Sequence, residues 1–242
     1  MHIKNKAKLI IIKFFIVLIL ASPVHSQQHT ILGTTSIYPK SSKYKIISDI
    51  VVNDLRVRHV RHTNSSMCAG KSQVDDHIEM SGPINPDTPF IIKRLLNKIK
   101  DSPNRCVSKS SGRAYSVEIF LNSGGGYMED GYELGKLLRK AQATTTIAPY
   151  GGECYSSCAA AFLGGVYRKM GNESKLMFHA PYLTSGYDIS CLKNSDKLRS
   201  YFVQMLNDED GNFLYERTMS YCSRSSGWSL NVDAAELFGL LK

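Results

Sequence analysis

Apolar residues change their spacing several times after residue 76, and each spacing predicts one element. In residues 86–100 they recur every three or four positions, as on one face of a helix, and Pro103 ends the pattern. The strands predicted in this way are 77–84, 116–121, 143–148 and 175–178, and the helices are 86–100, 128–141, 156–163, 194–221 and 233–238. Because strands and helices alternate, the sequence predicts an α/β fold with a mainly parallel sheet.

Residues 27–76 carry a less regular pattern. β-Branched runs with basic interruptions between Ile46 and Val60 predict one or two strands. We therefore interpret this segment as an N-terminal extension that is partly β, preceding an α/β domain at 77–242. The basic cluster Arg-His-Val-Arg-His at 58–62 could bind a metal ion or a phosphate, but its alternation is more typical of the solvated face of a strand.

The first 26 residues differ from everything that follows. Three lysines precede an apolar stretch of 13 residues from Leu9 to Ala21, which is shorter than the roughly 20 apolar residues of a membrane-spanning helix. Val24 and Ser26 occupy suitable positions before a cleavage point. This pattern predicts a secretory signal peptide over residues 1–26, with an uncleaved membrane anchor as the alternative.

Charge and composition narrow the function classes. The chain has 30 Lys+Arg against 21 Asp+Glu, a net charge of +9 that at first suggests nucleic acid or a membrane surface. Four of these lysines lie in the predicted signal peptide, which has no acid, so the remainder carries +5. No dense basic block with interleaved aromatics occurs, which disfavours nucleic-acid binding. A hydrophobic content of 43% and a mean hydropathy of −0.20 argue against a disordered chain and a multi-spanning membrane protein.

All six cysteines follow the predicted signal peptide. An even number in an exported protein indicates disulfides, and six cysteines allow 15 pairings between which the sequence does not choose. Candidate pairs are Cys68 with Cys106, Cys191 with Cys222, and Cys154 with either Cys158 or another partner. A Cys154–Cys158 bridge is demanding within one helix but feasible at a frayed start. No CxxC pair occurs and no histidine is near a cysteine in sequence, so we expect no metal and no cofactor.

A glycine-rich turn, Asn-Ser-Gly-Gly-Gly at 122–126, lies between a predicted strand and a predicted helix. Glycines there allow backbone N–H groups to turn outward and stabilise an oxyanion. Such turns also bind phosphate. The spacing is not G-x-G-x-x-G, and no Lys-Ser/Thr follows, so nucleotide binding is disfavoured.

Ser156 and His179 are the other candidate reactive residues. Ser156 lies at a strand-to-helix turn, where a serine is ordinarily a helix N-cap. His179 follows an apolar strand and is the only histidine after Ser156; such a lone histidine is more often structural than catalytic. A hydroxyl nucleophile needs a base and an oxyanion site, and the turn, the serine and the histidine could all lie at the carboxyl ends of neighbouring strands.

With these motifs in order, residues 77–242 resemble the ClpP/crotonase superfamily, specifically the ClpP-like serine peptidases. The 122–126 turn takes the place of the family's Asn-Ser-Pro-Gly-Gly, and Gly152 to Ser156 matches its Gly-x-x-x-Ser. Met-Phe-His-Ala-Pro at 177–181 is similar to Met-Ile-His-Gln-Pro, and 234–240 resembles the family's Glu-Ala-x-x-Tyr-Gly-Leu ending. The Cys-x-Ser-x-Cys around Ser156 is similar to exported bacterial ClpP-like proteins.

The resemblance implies a spiral of β-β-α units and a role for each candidate. Ser156 is the implied nucleophile, with Ser157 as the alternative, and His179 is the implied general base. The backbone N–H groups of Gly126 and Ser157 are the implied oxyanion hole.

The chain departs from the family at the third member of its triad. The family has an acid shortly before the final Gly-Leu, whereas residues 225–229 contain no carboxylate. Asp188 and Asp233 are weak candidates for that role. Without an orienting acid His179 is a poorer base, although a dyad oriented by a water or a hydroxyl would remain.

These observations predict an exported, periplasmic or secreted serine hydrolase, a peptidase acting on peptides or unfolded proteins. Export separates it from any cytosolic ATP-driven unfoldase, and rings or trimers among relatives suggest a homo-oligomer. The alternative is a catalytically impaired binding or scaffold protein that lacks the triad acid. A crotonase-type acyl-thioester enzyme is disfavoured because coenzyme A is a cytosolic cofactor.

Overall fold

A computed structural model describes residues 44–63, 68–70, 72–185, 188–223 and 226–242. The predicted signal peptide at 1–26 lies outside these residues. Within them, no helix combines the length and apolar character needed to cross a membrane.

The described chain contains eleven strands and six helices. The strands are β1 (Tyr44–Val52), β2 (Leu55–Thr63), β3 (Val74–Ser81), β4 (Glu118–Asn122), β5 (Thr144–Ile147), β6 (Glu153–Tyr155), β7 (Tyr167–Met170), β8 (Lys175–Phe178), β9 (Tyr182–Ser185), β10 (Asp188–Cys191) and β11 (Trp228–Leu230). The helices are α1 (Asp87–Lys100), α2 (Met128–Lys140), α3 (Ser157–Leu163), α4 (Asp196–Met205), α5 (Asp208–Met219) and α6 (Val232–Leu237).

Two sheets and a hairpin organise these strands. The larger sheet has the order β1-β2-β3-β4-β5-β7, with antiparallel pairs from β1 to β3 and parallel pairs from β3 onward. The smaller has the order β11-β8-β6, in which β6 and β8 are parallel. Among the described strands, β9 and β10 pair only with each other. The mixed α/β architecture with a mainly parallel central sheet confirms the predicted fold class.

The larger sheet runs through the position at which the sequence interpretation divides the chain. Strand β3 spans the predicted division between residues 76 and 77, and β1 and β2 extend the same sheet beyond it. The described part of the 27–76 segment therefore continues the sheet of the 77–242 domain.

The basic cluster at 58–62 lies in β2, and its side chains are buried or half-buried, so the predicted solvated face is wrong. His59 is 1% exposed, and its Nε2 lies 3.1 Å from Asp76 Oδ1. Arg61 donates to both carboxylate oxygens of Asp76 at 2.8 and 2.9 Å. Arg58 lies 2.6 Å from Glu79, also on β3. The cluster is thus neutralised by acids of the next strand.

Helix α3 is surrounded by other elements and consists of small or apolar residues, all of them buried. Helix α2 approaches it closely, because a Cβ at Gly131 would lie 2.5 Å from the Ser157 carbonyl oxygen. The carboxyl end of α3 is held by Arg139 of α2, which donates to the carbonyls of Leu163, Gly164 and Gly165. Both ends of α3 are therefore fixed.

Three disulfides cross-link the chain. Cys68–Cys106 joins the segment before β3 to the segment after α1, and Cys191–Cys222 joins the end of β10 to the segment after α5. Cys154–Cys158 joins β6 to α3. No cysteine is left free, a pattern that fits an oxidising environment.

We predict that Asp76→Asn destabilises the fold by about 2 kcal/mol at neutral pH, because it removes a charged acceptor. Burial favours the neutral carboxyl, but contacts with His59 and Arg61 outweigh it and hold the pKa of Asp76 below its usual value. The stabilisation by the Asp76 carboxylate is therefore complete above the pKa of the unfolded state, about 3.9, and is lost as the pH falls through the pKa of the folded state. The free energy of unfolding of the variant and of wild type, measured in urea between pH 7 and 2, should therefore differ less at the acid end.

The matched control is Asp49→Asn, which breaks the exposed Asp49–Arg56 pair between β1 and β2. An exposed pair contributes about 1 kcal/mol or less, so this variant should remain close to wild type. Equal losses for the two variants would contradict the assignment of Asp76 as the stabilising acid.

Candidate active site

Ser156 lies at the turn between β6 and α3 in a backbone conformation that L-residues rarely adopt, with φ 57° and ψ −120°. Its N–H donates to the Met177 carbonyl of β8 at 2.9 Å, and its carbonyl accepts from Ala160 N–H at 3.1 Å. A strained strand-to-helix turn of this kind presents a serine hydroxyl away from the helix that follows. The side chain is half-buried.

The N-cap role does not apply to Ser156. Although it occupies the N-cap position of α3, its side chain accepts no hydrogen bond from the helix. The side chains of Ser195, Asn207 and Asn231 do cap α4, α5 and α6 in this way. The Ser156 hydroxyl is thus not used by the helix it precedes.

Ser157, the alternative nucleophile, is fully buried. Its Cβ would lie 2.8 Å from a Cβ at Gly131, so the side chain packs between α3 and α2. Its Oγ has no hydrogen-bond partner among the described residues. The structure therefore places the two serines in different environments, one half-exposed at the turn and the other inside the packing.

The glycine-rich turn is held in place on one side by β6. Ser123 N–H donates to the Glu153 carbonyl at 2.7 Å, and Tyr155 N–H donates to the Ser123 carbonyl at 3.0 Å. These bonds flank Cys154 and join the end of β4 in the larger sheet to β6 in the smaller one.

Ile84 holds the other side of the turn. Its N–H donates to the Gly125 carbonyl at 2.8 Å, and its carbonyl accepts from Tyr127 N–H at 3.0 Å. Gly125 has φ 103°, and a Cβ on it would lie 2.8 Å from Ser156 Cβ. The turn therefore passes directly beside Ser156, at a distance that only glycine permits.

Two backbone N–H groups remain available near Ser156. Those of Gly126 and Ser157 donate to no other described residue. Because Ile84 bonds to the residues on both flanks of Gly126, the N–H of Gly126 points away from Ile84. These are the two groups that the sequence resemblance assigns to an oxyanion hole.

His179 directly follows β8, the parallel neighbour of β6. Tyr155 pairs with Met177, so Ser156 and His179 both leave the carboxyl ends of adjacent strands. The histidine is 4% exposed, its Nδ1 lies 3.0 Å from the Ala180 carbonyl, and its ring stacks on Tyr182 with centroids 5.5 Å apart. No hydrogen bond joins it to Ser156 within the described structure.

The Ala180 carbonyl decides which nitrogen of His179 can act as a base. A carbonyl only accepts hydrogen bonds, so the favoured neutral tautomer carries its proton on Nδ1. Nε2 then keeps its lone pair. The sequence motif does not reveal this backbone acceptor, since any residue supplies a carbonyl. It does not include Tyr182 either, which directly follows the motif.

The elements that carry Asp233 and Asp188 do not bring these residues to His179. Strand β11 runs antiparallel to β8, so α6, with Asp233, begins beyond the opposite end of β8. Asp188 pairs with Ser185 at the tip of the β9–β10 hairpin, whereas Tyr182 lies at its base. At about 3.4 Å per residue, the tip is roughly 10 Å further along the strand.

The stretch that would carry the family's acid runs alongside the end of β8. Its Gly227 packs so closely that a Cβ would lie 2.5 Å from the Phe178 carbonyl oxygen and 2.9 Å from Met177 Cγ. A carboxylate side chain therefore does not fit at this position without a movement of the backbone.

Tyr155 and Glu153 flank Cys154 on the opposite face of β6. Burial, and then a hydrogen bond to Glu153, raise the pKa of the Tyr155 phenol well above its usual range. The phenol is therefore a neutral donor at physiological pH.

Comparison of the whole fold with solved structures gives similarities at low sequence identity. A mutant of the 1510-N membrane-bound stomatin-specific protease matches 68% of this chain and 75% of its own, with 16% identity and a TM-score of 0.51. Another mutant of that protease, in complex with a substrate peptide, matches 68% and 71% with 15% identity and a TM-score of 0.53. The chain has a ClpP/crotonase-like fold.

Other comparisons add little to this assignment. A ClpP1 mutant from Listeria monocytogenes covers 67% of this chain and 86% of its own at 15% identity, with a TM-score of 0.47. No protein-family model and no curated protein matches the sequence. The fold assignment thus rests on the similarity to the stomatin-specific protease.

We predict that Gly125→Ala destabilises the fold by about 1–3 kcal/mol, because the new Cβ meets Ser156 and the backbone is left-handed at that position. The control is Gly124→Ala, where a Cβ meets nothing within 4 Å. This variant should stay within about 0.5 kcal/mol of wild type in urea unfolding. Equal stability of the two variants would argue against the close approach of the turn to Ser156.

Proposed function

We propose that the protein is an exported serine hydrolase of ClpP-like fold, a peptidase that works by acyl transfer on Ser156. The observation that supports it most is the strained turn at Ser156, whose hydroxyl is not used as a helix cap. Residues held in such conformations cluster at functional sites, because the surrounding structure must maintain them.

In the proposed mechanism Ser156 Oγ attacks the substrate carbonyl while His179 Nε2 accepts the hydroxyl proton. The N–H groups of Gly126 and Ser157 donate to the developing oxyanion, which lowers the barrier by about 3 kcal/mol for each donor. His179 then returns its proton to the leaving amine, and a water molecule releases the acyl group by the same steps.

The orientation of His179 does not require a carboxylate in this proposal. The Ala180 carbonyl accepts from Nδ1–H, and Tyr182 stacks on the ring, so position and tautomer are both constrained. A neutral carbonyl stabilises the imidazolium less than a carboxylate does, so we expect a slower enzyme than one with a full triad. Because no hydrogen bond joins His179 to Ser156 among the described residues, the proposal requires His179 to move toward Ser156 when substrate binds. Catalytic hydrogen bonds are often long in unliganded sites.

Peptides or unfolded proteins are the proposed substrates. One protease of similar fold has been solved with a substrate peptide. The three disulfides support export, and the predicted signal peptide would direct it, so no cytosolic ATP-driven unfoldase is expected as a partner. We also propose that the protein self-associates, and the fold is the only support for this part of the proposal.

We predict that a fluorophosphonate labels the wild-type protein and that Ser156→Ala abolishes this labelling, because the reagent reacts with an activated serine hydroxyl. The control is Ser200→Ala on the exposed surface of α4, which should be labelled at the wild-type rate. Mass spectrometry of the modified peptide identifies the site. An unlabelled wild type would favour the alternative of a binding or scaffold protein. That alternative is supported by the described residues, none of whose carboxylates forms an ion pair with His179.

We predict that His179→Ala lowers the labelling rate about 10²- to 10⁴-fold, the usual contribution of a general base. Added imidazole should restore part of the rate, since it supplies a base to the space left by the ring. Circular dichroism checks that the variant is folded. A folded variant that is labelled at the wild-type rate would exclude His179 as the base.

A further inference from the structure

The disulfide between Cys154 and Cys158 spans Ser156. Cys154 is the central residue of β6 and Cys158 the second residue of α3, and both are fully buried. The bridge therefore closes a small ring around the strained turn, with one end fixed in the sheet and the other in the helix.

Few other interactions hold Ser156 in its conformation. One backbone hydrogen bond ties it to Met177 and one to Ala160, while its side chain makes none with the helix. A left-handed backbone at a residue other than glycine persists only when the surroundings over-determine it. The bridge is the covalent constraint that acts directly across this residue.

The size of the ring argues against a mainly global role for this bridge. Its cysteines are 4 residues apart in sequence, compared with 38 for Cys68–Cys106 and 31 for Cys191–Cys222. In the chain-entropy account, the stabilisation from a disulfide increases with the length of the loop it closes. Of the three bridges, Cys154–Cys158 therefore restricts the unfolded chain least, and its distinctive effect is local.

We propose that Cys154 and Cys158 are positioning residues for the nucleophile. Their bridge holds Ser156 so that its Oγ stays aligned with the N–H groups of Gly126 and Ser157. This inference rests on the proposed function, because it needs Ser156 to be the nucleophile. The bridge touches no reacting atom; it acts by fixing the backbone on both sides of the serine.

The test is the double variant Cys154→Ala/Cys158→Ala, with Cys68→Ala/Cys106→Ala as the matched control. Both pairs are buried and both variants lose one disulfide, but the control removes the longer loop and lies away from Ser156. Alanine suits the position in α3, where three further alanines follow Cys158. The measurements are the thermal unfolding midpoint, the rate of fluorophosphonate labelling, and kcat and KM on an unstructured peptide such as casein fragments.

We expect opposite patterns in the two variants. Loss of Cys154–Cys158 should slow labelling about 10- to 100-fold, the effect of a small misplacement, and should lower kcat with little change in KM. The control should lose more thermal stability yet label at the wild-type rate below its unfolding temperature. A bridge with a purely structural role would instead change the midpoint and leave the labelling rate of the folded protein unchanged.

The outcomes separate this inference from the proposed function. If wild type is labelled at Ser156 and the Cys154→Ala/Cys158→Ala variant is labelled equally fast, the inference is overturned and the proposed function stands. If wild type is not labelled, or labelling survives Ser156→Ala, both are overturned. Should the variant fail to fold, Cys154→Val/Cys158→Ala refills part of the volume and takes its place; failure of both to fold would assign the bridge to folding and overturn the inference.

Discussion

The hydrogen bonds that join Ser123 to the residues on both sides of Cys154 are the connection on which the site depends. They attach Ser123, the residue that directly follows β4 of the larger sheet, to β6 in the smaller sheet. Through them the glycine-rich turn, which belongs to one sheet, is brought beside Ser156, which belongs to the other. The parallel pairing of β6 with β8 then sets His179 at the same edge.

The sequence predicted the elements whose patterns are local. Helices α1 and α2 carry clear apolar stripes, and their observed bounds differ from the predicted ones by a residue at each end at most. The single predicted helix at 194–221 is two helices, because Asn207 caps a second start. Strands β6, β7, β9, β10 and β11 were missed, since three or four residues are too few to show a period. Of these, β6, β7 and β11 also pair with strands that are distant in the sequence.

Residue types and their order along the chain were enough to predict which residues belong to the candidate site. The resemblance indicated Ser156, His179 and the two N–H groups, and the structure brings their backbones to one edge of the sheets. The sequence could not show the left-handed conformation of Ser156 or the Ala180 carbonyl beside His179, and it did not choose between Cys158 and another partner for Cys154. The basic cluster in β2 was misread because alternation alone does not reveal that a strand has acidic neighbours.

Gly227 limits the evolutionary routes open to this chain. A single substitution could not place a carboxylate at that position without a movement of the backbone, because the new Cβ would meet the Phe178 carbonyl. An acid beside this end of β8 would therefore have to come from a position other than Gly227.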